Sequence, residues 1–485
     1  MPSTSDLTGL GDLRSIVQAG TVIHSVVHDS RLVTPGSLYA CLRGEHFDGH
    51  AFAADAVRSG ATAVLVDHPL DLRAAQRTTG TLVRQIVVDD TRVRLGPIAA
   101  EVAGHPSRAL ATVGITGTNG KTTTAALMAQ IFEGAQMPCG VVGTLHGART
   151  TPEAPELQAV LRSFVEAGRT AAVLEVSSHA LAMHRADGTE FDAVVFTNLG
   201  HDHLDLHGSQ EEYFRAKARL FSPEFSHLGV INVDDPHGRL LADTAPSDTA
   251  GDEFRVVTYS TRDISEVEVT AGAHRYVWRG RRVEVPMGGD FNVSNSLAAL
   301  TTAVELGIGI DAAVGAVASL PPVSGRFEMV ETDESRTREV TIVIDYAHTP
   351  DGLERVLEAG RRFVGASGSL TVVFGCGGDR DRAKRPSMGA VASRFADRVV
   401  ITSDNPRGES PEAIIDEILR GVSAASEIVT IVDRRDAICD AIAAAGAGDV
   451  VIIAGKGHEA TQEFADRTIE FDDRVVAREC LESRR

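Results

Sequence analysis

The sequence predicts an α/β protein of about three domains. Its 485 residues, at roughly 150 per domain, set the count. Short apolar runs of four to seven residues alternate with longer helical patterns in the middle of the chain, and again in its last third. Buried short strands that alternate with helices imply mostly parallel, doubly wound sheets.

The first third carries apolar runs at 21–27, 61–66 and 85–88, with helix-like stretches between them. They read as a small α/β domain over 1–107, ending at the turn-rich Gly104-His105-Pro106-Ser107. Strands at 111–115, 171–176, 193–196 and 229–233 then alternate with helices at 121–132, 155–165 and 210–221. The segments 256–259 and 267–285 read as an antiparallel appendage, and a helix over 293–306 closes this domain, 108–323. Leu320-Pro321-Pro322-Val323-Ser324-Gly325 is the second linker. In the last domain, 324–485, strands are expected at 341–344, 370–374, 398–401, 428–432 and 449–453.

Composition narrows the classes of function. Apolar residues make up 43% and charged residues 24%, ordinary for a chain that folds around cores. A formal net charge of −20 argues against non-specific nucleic-acid or anionic-membrane binding. Five scattered cysteines with no C-x-x-C pair fit a reducing cytosol, and speak against a disulfide framework or a structural zinc site. No signal peptide is expected, and no stretch approaches the roughly 20 apolar residues of a membrane span.

Ligands in open α/β sheets bind beyond the carboxyl ends of the strands, and polar residues cluster there. After 111–115 comes Thr116-Gly117-Thr118-Asn119-Gly120-Lys121-Thr122-Thr123, a phosphate cradle. Glycines admit phosphate oxygens, the helix N-terminus adds positive potential, Lys121 reaches the β- and γ-phosphates, and Thr122 can ligate Mg²⁺. Ile115 stands where the first glycine of the usual motif would be. Glu175 ends the next strand, either as a Mg²⁺ ligand or as a solvated strand-end charge. His201, His203, Asp205 and His207 resemble a binuclear-metal pattern with the last histidine one residue late; contact with Mg²⁺–nucleotide is the better reading. Lys217, alone on its helix, reads as a solvated residue. In the last domain Arg380, Arg407 and Lys456, with Asp404, Asn405 and Glu459, offer both signs of charge, as an α-amino acid requires; a salt-bridged rim explains them equally well. With polar groups at the same strand ends of two adjacent domains, a shared cleft is expected.

Together these motifs resemble the Mur ligase family over nearly the whole chain, from Asp29-Ser30-Arg31 to Gly455-Lys456-Gly457-His458-Glu459. The resemblance implies a UDP-sugar domain, a central ATPase domain and a Rossmann-like C-terminal domain. It implies an ATP-dependent ligase that joins meso-diaminopimelate to UDP-N-acetylmuramoyl-L-Ala-D-Glu through an acyl phosphate, in cytoplasmic peptidoglycan precursor synthesis. A monomer is expected, without nucleic acid and without membrane insertion.

Residue by residue, His28, Ser30, Glu45, His46 and Phe47 match the uridine end of the site, and Thr150, Thr151, Ser177 and Arg185 match contacts to the muramoyl dipeptide. Gly117, Thr118, Asn119, Gly120, Lys121, Thr122 and Thr123 match the ATP loop, with Asn295, Arg326 and Asp345 as further ATP contacts. Glu175 and His203 match Mg²⁺ ligands, and Lys217 matches the family's carbamylated lysine, which replaces the solvated reading; two Mg²⁺ sites are implied. Arg380, Asp404, Asn405, Pro406, Arg407, Gly455 and Glu459 match the diaminopimelate site. Lys121, Glu175, His203, Lys217 and Arg326 form the implied catalytic set.

The chain departs from the family pattern on the dipeptide side. Met183 replaces a frequent Gln, His201 a common Arg, and Arg149 a small polar residue, and the segment 143–149 is short. The alternatives are L-lysine or another amino acid as the incoming group, a different acceptor, a non-catalytic nucleotide-binding scaffold, or a metal hydrolase.

Overall fold

A computed structural model describes residues 8–44, 47–147, 149–200, 207–245, 254–423 and 426–483. Three sheets, one per domain, carry the architecture. The first contains β1 (Ser25–Val27), β2 (Ser37–Ala40), β3 (Ala63–Val66) and β4 (Arg84–Val87), paired in that order and all parallel. Every residue of β3 is fully buried, and each buried Val or Leu contributes about 1.5–3 kcal/mol. The helix Thr91–Ala103 follows, capped by Asp90, whose carboxylate accepts from the Arg92 and Val93 N–H groups.

The central sheet holds β5 (Ala111–Thr116), β6 (Cys139–Val142), β7 (Ala171–Glu175), β8 (Ala193–Phe196), β9 (Leu228–Asn232) and β10 (Arg255–Tyr259). Its order is β10-β9-β8-β5-β7-β6, parallel throughout. The strands that follow β5 lie on both sides of it, so the direction of winding reverses at β5. That reversal opens a crevice at its carboxyl end. An antiparallel sheet of β11 (Ile264–Val269), β12 (His274–Trp278) and β13 (Arg281–Val285) shares one apolar cluster with the helices Lys121–Gly134 and Phe291–Glu305.

The last domain orders β14 (Glu328–Met329), β15 (Thr341–Asp345), β16 (Leu370–Phe374), β17 (Arg398–Ile401), β18 (Glu427–Thr430) and β19 (Val450–Ala454) as β14-β15-β19-β16-β17-β18. Only β14 runs antiparallel. Separate apolar clusters cover its two faces. A hairpin of β20 (Thr461–Glu463) and β21 (Thr468–Glu470) follows.

The expected parallel strands are present, and 267–285 falls in the antiparallel sheet; the segment 256–259, expected beside it, is instead β10, which pairs parallel with β9 at the edge of the central sheet. Sequence reading missed β2 and β6, in which Ser37 and Cys139-Gly140 keep an apolar run from standing out. The cysteine reading needs one correction. Cys439 and Cys480 are disulfide-bonded, 41 residues apart in sequence, joining the helices Arg434–Ala444 and Asp473–Glu482. Spacing rules look for nearby pairs, whereas this pair is made by helix packing. Cys41, Cys139 and Cys376 are free and buried, and burial pushes each thiol up to about 12. No helix among the described residues is long and apolar enough to cross a membrane.

Candidate active site at the central strand ends

The loop after β5 is shaped by two glycines with positive φ, Gly117 at +146° and Gly120 at +86°. A Cβ on Gly117 would sit 1.9 Å from Thr197 Oγ1, and one on Gly120 2.3 Å from Asn295 Oδ1. Only glycine lets this loop close against the end of β8 and the helix Phe291–Glu305. Neighbouring groups fix it there. Asn198 accepts at its carbonyl from the Thr118 N–H (2.9 Å) and at Oδ1 from the Asn119 N–H (3.0 Å). Thr197 Oγ1 donates to the Asn119 carbonyl (2.7 Å). The helix Lys121–Gly134 then starts without a side-chain cap, so its first N–H groups and its dipole favour an anion. Lys121 Nζ folds back over the loop, donating to the carbonyls of Gly117 and Thr118 at 2.8 Å each.

Glu175, at the end of β7, is almost fully buried. It accepts from Thr122 Oγ1 (2.9 Å), the Thr144 N–H (2.9 Å) and Thr144 Oγ1 (3.2 Å). Its partners are neutral donors, and no described residue forms an ion pair with it. A buried carboxylate beside a phosphate loop and lacking a cationic partner is a fitting ligand for a divalent cation. Lys217 is equally buried. Its Nζ donates to the Gly117 carbonyl (2.9 Å) and lies 4.5 Å from the centre of the Tyr213 ring. Tyr213 OH in turn bonds Thr118 Oγ1 (3.0 Å).

The last domain reaches into this loop. Arg326 Nη2 donates to Thr122 Oγ1 at 3.0 Å, and its guanidinium stacks over Tyr346 at 4.5 Å. Asp345 accepts from the N–H groups of Phe327 and Ala347, both at 2.8 Å. Burial pushes its carboxyl above the usual range, opposed by Arg326 and those two N–H groups. A cavity of about 670 Å³ lies between the domains, lined by Lys121, Thr122, Glu175, Asn295, Arg326 and Asp345 among others.

The structure brings the phosphate-loop residues 118–123, Thr150, Glu175, Ser177, Asn295, Arg326 and Asp345 onto one cavity. Thr151 sits behind it, donating to the Glu175 carbonyl (2.8 Å) and accepting from the Ser177 N–H (3.1 Å). Arg185 pairs with Glu153 at 2.8 Å instead of lining that cavity.

The amino-acid candidates form a neighbouring group. Asn405 Nδ2 donates to Glu459 (2.8 Å), and the fully buried Lys456 Nζ donates to Asn405 Oδ1 and Glu459, both at 3.0 Å. Asp404 lies beside Gly455, and Pro406 precedes Arg407, whose Nε donates to Glu463 (2.7 Å). Arg380 is exposed and makes no ion pair with a described residue. The two groups meet where the rings of Tyr346 and His458 lie 5.0 Å apart. In the first domain His28 precedes the Asp29–Arg31 turn and Ser30 lies within it, and Phe47 is 73% exposed.

His203, with His201, Asp202 and Asp205, lies outside the described residues, as do Glu45 and His46. His207 bonds Ser178 Oγ through Nε2 (3.1 Å). Sequence reasoning missed Thr144, Tyr213 and Glu463. Tyr213 was within reach, because it stands four residues before Lys217 and shares its helix face.

Three family models match: the Mur ligase family, catalytic domain over residues 22–102, the Mur ligase middle domain over 115–303, and the Mur ligase, glutamate ligase domain over 325–457. The UDP-N-acetylmuramoyl-L-alanyl-D-glutamate–2,6-diaminopimelate ligase of Streptomyces coelicolor is 42% identical, covering 95% of this chain and 92% of that protein. That of Thermosynechococcus vestitus is 41% identical, over 93% and 91%. A solved structure of a ligase of the same name is 35% identical, covers 95% of each chain and superposes with a TM-score of 0.66. The fold alone is shared with MurF ligase from Thermotoga maritima in complex with ADP, at 20% identity, coverage of 96% and 98%, and a TM-score of 0.64. From the phosphate loop to the domain layout, the chain belongs to the Mur ligase family.

Proposed function

We propose that the protein is an ATP-dependent amide ligase that adds meso-2,6-diaminopimelate to UDP-N-acetylmuramoyl-L-Ala-D-Glu. The observation that carries this reading is the junction of Arg326, Thr122 and Glu175, where a guanidinium from the last domain and a buried carboxylate from the central one meet on one hydroxyl of the phosphate loop. The names of relatives at about 40% identity support the choice of substrates. Domain limits at 107/108 and 323/324 are part of the proposal.

In this reading the first N–H groups of the helix Lys121–Gly134, with Lys121, hold the β- and γ-phosphates of ATP. Asn295 and Asp345 contact the nucleotide. The D-Glu γ-carboxylate attacks the γ-phosphorus, ADP leaves, and an acyl phosphate forms. Lys121 and Arg326 offset the charge on the phosphoryl oxygens in the transition state. The amino group of diaminopimelate, as the free amine, then attacks the acyl carbon; the C–O bond to the phosphoryl group breaks, inorganic phosphate departs with that former carboxylate oxygen, and the nitrogen gives up its surplus proton to leave the amide. Asn405, Glu459 and Lys456 orient the ammonium and carboxylate of the incoming amino acid, and Arg407 and Arg380 take its distal carboxylate. Thr122, Glu175, His203 and a carbamylated Lys217 would hold Mg²⁺, which supplies charge neutralisation at the phosphates when bound. Closing of the last domain onto the central one keeps water from the acyl phosphate. The enzyme works as a cytoplasmic monomer.

The test is incubation with ATP, Mg²⁺, the UDP-sugar dipeptide and diaminopimelate. The expected products are ADP, phosphate and a UDP-sugar tripeptide in equal amounts. ATP hydrolysis that is indifferent to both other substrates, with no tripeptide, overturns the proposal.

A further inference from the structure

Three guanidinium groups converge on one buried carboxylate beside the hydroxyls of the acceptor side. Glu153 precedes the helix Ala154–Glu166. Arg185 Nη2 lies 2.8 Å from its Oε1, Arg92 Nη1 3.3 Å from its Oε2, and Arg149 Nη1 3.6 Å from its Oε1. Arg92 comes from the helix Thr91–Ala103 of the first domain, Arg149 from the loop after β6, and Arg185 from the turn after the helix Ser178–Ala182. One carboxylate offsets only one of the three positive charges.

Two observations show that Glu153 leaves this cluster unsatisfied. Arg185 Nε is buried with no hydrogen-bond partner, and an unpaired buried donor is costly. Burial also pushes the Arg185 guanidinium down from its usual range; Glu153 opposes that push, while Arg149 and Arg92 add to it. An additional anion would relieve both. The cluster also sits next to the reacting groups. Arg149 directly precedes Thr150, whose Oγ1 is 3.1 Å from Thr144 Oγ1, and Thr144 holds Glu175. Thr150 and Ser177 line the cavity between the domains.

We infer that Arg149, acting with Arg185 and Arg92, makes the site specific for an acceptor whose terminal glutamyl residue keeps a free α-carboxylate. The inference rests on the ligase reading above. A γ-ligated glutamyl residue carries two carboxylates and loses one to the reaction; the other must be desolvated close by. An arginine fork matches a carboxylate through two parallel N–H bonds and gains much less from a neutral amide. Arg149 is about half exposed, so its side chain can turn from Glu153 to a ligand without unfolding the loop. The acceptor's diphosphate has related chemistry, and the experiment separates the two.

The experiment compares kcat/KM for the UDP-sugar dipeptide ending in D-Glu with that for its α-amide, in which the γ-carboxylate stays free. Wild type is expected to prefer the acid by about a hundredfold or more. Arg149→Ser should cut that preference at least about tenfold, through the KM of the acid, with kcat nearly constant. Arg149→Lys, which keeps charge but not the fork, should fall between. An unchanged acid-to-amide ratio in an active wild type and variant overturns the inference and leaves the ligase reading intact. Equal weakening of both acceptors also overturns it, and points to the diphosphate. A wild type inactive on both acceptors overturns the ligase reading and this inference together.

Discussion

Lys217 Nζ lies 2.9 Å from the carbonyl of Gly117, a hundred residues earlier in the chain. The contact puts a fully buried amine against the first glycine of the phosphate loop, with Tyr213 packed beneath it. A helix lysine that would otherwise be solvated is thereby made part of the loop.

Lys217→Ala should therefore lower kcat by about 10²–10³-fold, the scale of losing one charge-positioning group at a phosphoryl-transfer site. Lys217→Arg should fail to restore it, because a guanidinium cannot be carbamylated. Intact-mass measurement under bicarbonate should find the mass of one added CO₂ on wild type and none on either variant. Full activity in Lys217→Ala would remove the residue from the mechanism.

Glu175→Gln keeps the shape and, with its one remaining oxygen, can keep the bond from the Thr144 N–H, but removes the charge. The Mg²⁺ concentration for half-maximal rate should rise about 10–100-fold, while ATP binding without metal stays unchanged. A Mg²⁺ titration that overlays wild type would contradict a ligand role.

Arg407 is held by Glu463 at 2.7 Å and by the Gly378 carbonyl at 3.1 Å, with a left-handed φ of +49°. Arg407→Ala should reduce kcat/KM for diaminopimelate about 10–100-fold, the worth of a charge-assisted pair, and leave the weak rate with L-lysine nearly unchanged. Equal losses on the two amino acids would show that the guanidinium shapes the loop only.

Arg434 and Asp473 form a wholly buried pair at 2.8 and 2.7 Å, and Arg434 also donates to the Ala454 carbonyl just before Gly455. Asp473→Asn leaves a buried guanidinium without its counter-charge and should cost about 3–5 kcal/mol. Denaturant unfolding measures it; a loss under about 1 kcal/mol would mean that solvent reaches the pair.

His274 is fully buried, with Nδ1 2.7 Å from the Met287 carbonyl and Nε2 2.9 Å from Ser296 Oγ. Burial pushes its pKa down to about 4. Between about 6.5 and 4 the unfolded chain binds a proton that the folded one refuses, so stability is full above the unfolded value and falls as the pH drops. The loss reaches about 3 kcal/mol near pH 4. Unfolding of wild type and His274→Gln at several pH values should show their difference shrinking with acid; a constant difference would count against a neutral buried imidazole.

Much of the fold was legible because buried parallel strands must be short continuous apolar runs. Ala171–Glu175 and Val450–Ala454 could be read for that reason. β2 and β6 could not, since Ser37 in one and Cys139-Gly140 in the other leave only two or three apolar residues in a row within the strand, whereas β8, equally short, is apolar throughout. The phosphate loop was legible because its chemistry is local: glycine, lysine and threonine act within one turn.

By itself, then, the sequence determined the alternation of strand and helix, the phosphate loop and the polar residues at each strand end, since each follows from neighbours a few positions apart. Only the tertiary structure decided that Arg326 reaches Thr122, that Lys217 is buried at Gly117, that Cys439 meets Cys480, and that three arginines crowd on Glu153. Apart from Arg149, which is four positions from Glu153, those contacts join residues tens to hundreds of positions apart, and packing, rather than local propensity, sets which distant side chains share a desolvated space.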